Sequence, residues 1–324
     1  MLPAILLAVI QYAREAGLEV HLSTQVNISN SRALRFFSQW ADTVVLAREL
    51  NLSQVRKIYD NILADNIRGP SGRYVSIEMF AHGALCMAVS GKCYLSLHEH
   101  NKSANRGSCY QTCRKGYTVK EKETAYELDI ENEYIMSPKD LCTVGFVNKL
   151  LDAGVRVLKI EGRARSPEYV KTVVSSYNEA VEAVISGSYD EKLINKLRNR
   201  LSTVFNRGFW DGYYLGQRLG EWSHKYGSGA GKKKISLGRI SNYFTRLRVA
   251  ELKLEAGDLN KGDDILIIGP TTGVIEYRVH EIRVDDSAAS RALKGDTCSI
   301  PFNDKLRRAD KVYKWVAVNG SRNQ

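Results

Sequence analysis

Residues 78–117 read EMFAHGALCMAVSGKCYLSLHEHNKSANRGSCYQTCRKGY and carry four of the chain's six cysteines, Cys86, Cys93, Cys109 and Cys113, spaced C-x6-C-x15-C-x3-C. Four thiols this close together, in a chain with no sign of export, more often ligate metal than pair as disulfides. The segment leaves the end of an apolar run, Tyr74-VSIEMFAHG, that reads as a strand. Whatever the cysteines hold is therefore expected beside the carboxyl end of a sheet, the usual place for a site in a parallel α/β domain.

Working outward from that strand, the first two-thirds of the chain alternates helical and strand patterns. Leu2 to Ala16 reads as a helix ended by Gly17, Leu18-EVHLST as a strand, Arg32 to Trp40 as a helix, Thr43-VVLARE as a strand and Gln54 to Asp65 as a helix. After the cysteines, Thr118 to Tyr134 alternates like a hairpin and Tyr134-IMS reads as a short strand. Pro138 to Gly154 reads as a helix that contains Cys142, Val155-RVLKIEGR as the last strand, and Ser166-Pro167 as the start of a long helix, with another from Asp190 to Leu201. Five such strands match part of a (β/α)8 TIM-type barrel, with roughly three βα units, about 80 residues, expected before Met1. A smaller open sheet is the rival reading.

The pattern changes at Gly227-SGAGKKK, a linker over residues 227–233 that separates an incomplete barrel domain, 1–226 with its cysteine loop at 85–117, from residues 234–324. That last part alternates as strands, Ile235-SLGRISN, Leu247-RVAELKL, Asp264-ILIIG, Val274-IEYRVHEIRV and Thr297-CSIPF, and predicts a small β-barrel. Its Gly-Asp turns resemble the second domain of translation elongation factors. The whole chain is thus α/β, a partial TIM-type barrel followed by a small C-terminal β-barrel.

The 324 residues carry a net charge of +11, a modest pointer to an acidic partner such as RNA. No run of about 18 apolar residues occurs, which argues against a helical membrane span. Met1-LPAILLAVI lacks a basic start and a cleavage site. The cytoplasm follows as the expected location.

Four thiolates suit either zinc or an iron-sulfur cluster. The long C-x6-C arm favours the cluster over zinc, and unligated thiols are the third reading. His98 and His100 offer a zinc alternative, although a solvated loop pair is the plainer account. Cys142 and Cys298 read as buried free thiols. Strand ends supply a second constellation, in which His21, Gln25 and Asn27 follow the first strand and Arg48 and Glu49 the second. Glu78 and His82 lie on the third, with Lys159, Glu161 and Arg163 on the last. Alternation sets Glu78, Phe80 and His82 on one face, and Lys159, Glu161 and Arg163 likewise. A solvated rim group is the plain reading of each taken alone. Together, Arg48, Lys159 and Arg163 suit a carboxylate-rich small molecule. A hydrolytic engine is not visible, since neither G-x-S-x-G nor H-E-x-x-H occurs.

The runs HGALCMAVSGKCYLS, SANRGSC, IMSPKDL, VLKIEGRARSPEYV and NRGFWDGYYLG resemble the signature segments of the peptidase U32 family of collagenase-like proteins, from about Leu18 to the end of the chain. Family members begin with further βα units and an APAG-type opening, neither of which precedes Met1. The resemblance implies a 4Fe-4S cluster on Cys86, Cys93, Cys109 and Cys113. With the small C-terminal barrel, the chain is most similar to the family's tRNA hydroxylation subgroup. That similarity implies prephenate-dependent conversion of the wobble uridine to 5-hydroxyuridine, with tRNA as partner. On this reading the expected catalytic residues are Glu78, His82, Lys159 and Glu161, and the substrate-binding residues Gln25, Asn27, Arg48, Glu49 and Arg163. A collagenase-like peptidase and a non-catalytic tRNA or ribosome adaptor are the alternatives.

Overall fold

A computed structural model describes residues 2–4, 7–88, 93–104, 107–117, 136–216, 221–223 and 227–318. The expected hairpin over 118–134 and the first two residues of the short strand at 134–137 lie outside these residues. The described chain divides into two compact units. The first comprises residues 1–163, 173–199 and 206–229, and the second residues 164–172, 200–205 and 230–324.

The first unit is a mixed α/β layer. Strand β1 (Leu2–Ala4) is followed by α1 (Leu7–Glu15), β2 (Val20–Leu22), α2 (Ser31–Ser38), β3 (Thr43–Val45), α3 (Leu52–Ala64) and β4 (Ser76–Gly83). After β4 come the short helix α4 (Leu95–His100), β5 (Asp140–Cys142), α5 (Val147–Asp152), β6 (Val155–Ile160), α6 (Pro167–Ser186), α7 (Glu191–Ser202) and β7 (Phe209–Trp210). β1, β2, β3 and β4 pair in parallel, and β6 joins β4 in parallel. β5 runs antiparallel to β4 and parallel to β7. Among the described residues these strands form an extended path and do not close into a ring.

Local sequence explains the elements. Asn51 caps α3, accepting from Gln54 N at 2.9 Å while the Gln54 side chain accepts from Asn51 N at 3.0 Å, a reciprocal capping box. Asn30 caps α2 through Ala33 N. β4 is buried along almost its whole length, as a strand flanked by parallel neighbours must be, and its Ile77, Met79 and Ala81 are fully enclosed. Gly154 turns the chain from α5 into β6 at φ 93°, where a Cβ would meet the Tyr59 ring at 2.1 Å.

Two expectations are corrected. Residues 2–16 are not one helix: Leu2–Ala4 pair with Val20–Leu22 as β1 before the helix begins at Leu7. Pro3 steers Leu2 away from helical dihedrals and, lacking an N–H, is tolerated in a strand that leaves its ladder side unused. Nor are residues 138–154 one helix. Asp140–Cys142 form β5, because His82 and Phe209 offer backbone partners there, and only Val147–Asp152 are helical. Cys142 is therefore a buried thiol on a strand.

The second unit is antiparallel. It holds β8 (Lys232–Phe244), β9 (Val249–Leu254), β10 (Leu259–Asn260), β11 (Asp264–Gly269), β12 (Gly273–Arg278) and β13 (Ile282–Val284), then β14 (Ser287–Ala289), β15 (Arg291–Ala292), β16 (Thr297–Pro301) and β17 (Lys311–Ala317). Eight of these run in the order β12-β11-β17-β8-β9-β16-β13-β14, and β10 pairs with β15. Leu252, Ile265, Ile267, Ile300 and Val312 fill its core. Lys232 and Lys233, expected in the linker, already belong to β8. The expected strand over 274–284 breaks into β12 and β13, and β17, unread in the sequence, sits between β11 and β8.

Candidate functional site

The centre of the first unit's site is the face of β4 and β6 that carries Glu78, Phe80 and Lys159. Phe80 stands opposite Lys159 across the ladder and Glu78 opposite Val157. Lys159 Nζ lies 3.4 Å from Glu78 Oε1, and His21 Nε2, from the middle of β2, contacts Glu78 Oε2. Glu78 is only 5% exposed, so its two cationic or hydrogen-bonding neighbours are what make its burial tolerable. The Arg48 guanidinium lies 5.5 Å and the Lys159 ammonium 5.7 Å from the centre of the Phe80 ring, which both approach over its face. Tyr214 donates to Phe80 O at 2.8 Å, and burial pushes its phenol well above the usual range, with Arg48 opposing that rise.

Arg48 also borders a cavity of about 270 Å³. Asn27, Glu49 and Cys86 line it too, so three of the expected substrate-binding residues and one expected ligand cysteine meet at one opening. Asn27 ends a 3-10 turn at φ 50°, a left-handed position that asparagine tolerates better than most residues. Trp210, Tyr213 and Trp222 add an aromatic lining to the same cavity. Trp210 is buried, and its indole N–H has no hydrogen-bond partner among the described residues. Gln25 does not line this cavity, and its Oε1 is buried without a hydrogen-bond partner among the described residues.

Other expected residues fall elsewhere. His82 does not share the Glu78 and Phe80 face. An extra residue bulges from β4 between Phe80 and His82, so His82 pairs with Ile160 while Phe80 pairs with Lys159, and a one-residue slip reverses the face. His82 is buried, with Tyr177 Oη 3.4 Å from Nδ1 and the Phe209 ring 5.6 Å away. Tyr177 in turn donates to Ala81 O at 2.7 Å and accepts from Thr143 N at 2.9 Å. β6 ends at Ile160, so Glu161 and Arg163 lie beyond the strand. There Glu161 N donates to His82 O and Glu161 Oε1 accepts from Arg163 N at 2.7 Å. Arg163 is exposed.

The cysteine segment is held at both ends by Arg114, which donates to Leu85 O at 2.5 Å, Pro138 O at 2.8 Å and Ser137 Oγ at 3.1 Å. Burial raises the Cys113 thiol above its ordinary range, Arg114 opposes this, and Cys86, Cys109 and Cys93 each add a smaller upward push. The four thiols thus share one neighbourhood, and a four-thiolate donor set fits an iron-sulfur cluster by its chemistry. Among the described residues no three His, Cys, Asp or Glu side chains are drawn tightly enough around a point to hold a single metal ion. His98 and His100 are exposed on α4, where His100 Nε2 faces Glu99 Oε2 at 3.5 Å. Arg114, Trp210, Tyr213 and Trp222 carry no role predicted from sequence. Trp210 and Tyr213 lie inside the run NRGFWDGYYLG and Trp222 six residues beyond it, where a clustering of aromatics is the available signal.

A mostly parallel sheet whose strand-end Arg48 and Glu49 border a cavity lined with aromatic rings, with Cys86 among its lining residues, defines an α/β protein with a small-molecule-sized site. The family follows from comparison. Residues 6–224 match the model of peptidase family U32, and the chain belongs to that family. It is 64% identical over 308 residues to a protein of Porphyromonas gingivalis named collagenase, covering 95% of this chain and 74% of that one. It is 31% identical to tRNA hydroxylation protein P1 of Bacillus subtilis, covering 83% of this chain and 62% of the relative. It is also 36% identical over 214 residues to the 23S rRNA 5-hydroxycytidine C2501 synthase of Escherichia coli, covering 63% and 30%. The family thus includes both collagenase-named members and proteins of tRNA and rRNA hydroxylation. No helix among the described residues is long and apolar enough to cross a membrane.

Proposed function

We propose that this protein takes part in RNA hydroxylation, converting the wobble uridine of tRNA to 5-hydroxyuridine with prephenate as co-substrate. The observation that carries the reading is the cavity where Arg48 meets an aromatic wall beside Cys86. A guanidinium at such an opening grips a carboxylate bidentately, and Trp210, Tyr213 and Trp222 give a flat ring something to pack on while keeping water away. Behind Arg48, the contact of His21 and Lys159 with Glu78 offers a proton-holding group within the same face of the sheet. RNA-modifying relatives at 31% and 36% identity support this assignment, as does the net charge of +11. We read the parallel sheet as part of a (β/α)8 barrel, with the site at its carboxyl-terminal mouth.

Cys86, Cys93, Cys109 and Cys113 would hold a 4Fe-4S cluster. When bound, such a cluster supplies one-electron chemistry or a Lewis-acidic iron. Arg114 keeps the cysteine segment against Leu85 and Pro138, so the donor set stays next to the cavity rim.

The test is nucleoside analysis of tRNA from a deletion strain, complemented by the unchanged protein and by a Cys109→Ser/Cys113→Ser variant. Loss of 5-hydroxyuridine, restored only by the unchanged protein, is the expected result. A normal profile in the clean deletion sinks the proposal. Iron and sulfide content of protein purified without oxygen checks the cluster separately. The peptidase reading has the name of the 64%-identical relative behind it. It predicts gelatin cleavage by purified protein that disappears in Glu78→Gln, and retention of cleavage in that variant would point to a contaminant.

A further inference from the structure

The second unit carries a cationic edge distant in sequence from the cysteines. β8 and β9 are joined by the tight turn Thr245–Arg248, closed by Leu247 N donating to Phe244 O at 3.1 Å. Its last residue, Arg248, adopts φ 53°, the left-handed position that hairpin loops usually give to glycine or asparagine. The loop from Asn303 to Ala309 lies along the same end. Phe302 N donates to Arg248 O at 2.8 Å, Ala309 N donates to Ile240 O at 2.9 Å, and Tyr243 Oη reaches Phe302 O at 3.1 Å. Two segments about sixty residues apart in the chain are thereby fixed side by side.

Five cations stand on them: Arg246 and Arg248 on the turn, and Lys305, Arg307 and Arg308 on the loop, all exposed. Among the described residues none of the five forms an ion pair, in contrast with Arg239, Arg283 and Arg291 of the same unit, which face Glu255, Glu281 and Asp258. The nearby Asp310 is buried and occupied, accepting from Thr272 Oγ1 at 2.6 Å and Arg307 N at 2.9 Å, which leaves Asp304 as the exposed carboxylate of the loop. At the tip, Leu247 is 73% and Phe244 40% exposed. Like charges crowded on an edge repel one another unless a polyanion neutralises them, and exposed apolar side chains between them suit stacking against unpaired bases.

We infer that this edge is an RNA-docking surface, on which Arg246, Arg248, Lys305, Arg307 and Arg308 contact backbone phosphates while Phe244 and Leu247 meet an unstacked loop base. The inference rests on the proposal that the protein acts on RNA, and it assigns the grip to the small β unit. Phosphate contacts of this kind position an RNA without reading its sequence.

The experiment measures affinity for a tRNA anticodon stem-loop transcript by fluorescence anisotropy, as a function of salt, for the full chain. The ridge variant is Arg246→Ser/Arg307→Ser/Arg308→Ser. The matched control is Lys261→Ser/Arg278→Ser/Lys294→Ser, which removes as many exposed cations elsewhere on the unit. Loss of three phosphate contacts lowers the slope of log affinity against log salt by about 2 and weakens binding about tenfold or more near 0.1 M salt. The control keeps the parental slope. Equal losses in both variants, or no loss in the ridge variant, overturn the inference, as does tighter binding of the ridge to an acidic peptide than to the stem-loop. Failure here is separable from failure of the proposed reaction. A deletion strain lacking 5-hydroxyuridine, together with a ridge variant that binds normally, leaves the reaction standing and removes the docking edge. A normal nucleoside profile with salt-dependent ridge binding does the reverse.

Discussion

Lys159 Nζ lies 3.4 Å from Glu78 Oε1 because Phe80 and Lys159 are cross-strand partners, which brings the Lys159 ammonium over the Phe80 ring and within reach of Glu78. The Glu78 side chain is 6% exposed and that of Lys159 29%. Glu78→Ala strips His21 and Lys159 of their shared partner inside the sheet and is expected to cost about 3 kcal/mol. Lys159→Met leaves the buried Glu78 carboxylate without one of its two neighbours and is also expected to cost about 3 kcal/mol. Urea unfolding followed by tryptophan fluorescence reads both variants and the Glu78→Ala/Lys159→Met double variant, and a double-variant cost equal to the sum of the two singles would contradict the buried pair.

Tyr177 is the second buried polar hub. Tyr177→Phe removes the hydroxyl that bonds both Ala81 O and Thr143 N, yet these two still pair with each other at 3.1 Å and Thr143 Oγ1 still donates to Ala81 O at 3.0 Å. With no buried backbone group left unsatisfied, the variant should lose only about 1 kcal/mol, the net worth of an ordinary hydrogen bond. That corresponds to a fall of roughly 2–4 °C in melting temperature. Calorimetry reads it directly.

Arg48 carries the anion-binding half of the proposed reaction. Arg48→Lys keeps the charge but not the planar fork, so KM for the carboxylate co-substrate should rise about tenfold while kcat changes little. Arg48→Met should raise KM further. A fall in kcat at constant KM would instead assign Arg48 to the chemical step.

Cys142 and Cys298 are each pushed up to about 11 by burial, from an ordinary 9.0. Both thiols therefore stay protonated and unreactive at neutral pH, and iodoacetamide should label the exposed Cys86 well before either. The same shift sets a pH dependence. The folded state holds these protons more tightly than the unfolded chain, so their contribution to stability is fully present below about pH 9 and is lost as pH rises through about 11. Cys142→Ala should flatten the alkaline side of a denaturation profile, apart from a pH-independent packing loss.

Much of this protein was legible in its sequence because the signals are local. Apolar runs and capping residues such as Asn51 with Gln54 mark β4 and α3, and the Gly-Lys stretch at 227–233 marks a change of architecture. Polar residues at strand ends singled out Asn27, Arg48 and Glu49, which do meet at one cavity. Long-range pairing decided the rest. β5 forms where a helix was expected because β4 and β7 offer hydrogen-bond partners on either side, something no window of sequence contains. One extra residue between Phe80 and His82 turns His82 away from Glu78, and strand alternation read from sequence has no means of sensing a bulge. The aromatic wall of Trp210, Tyr213 and Trp222 and the strap of Arg114 across Leu85 and Pro138 depend on segments that only the tertiary fold brings together.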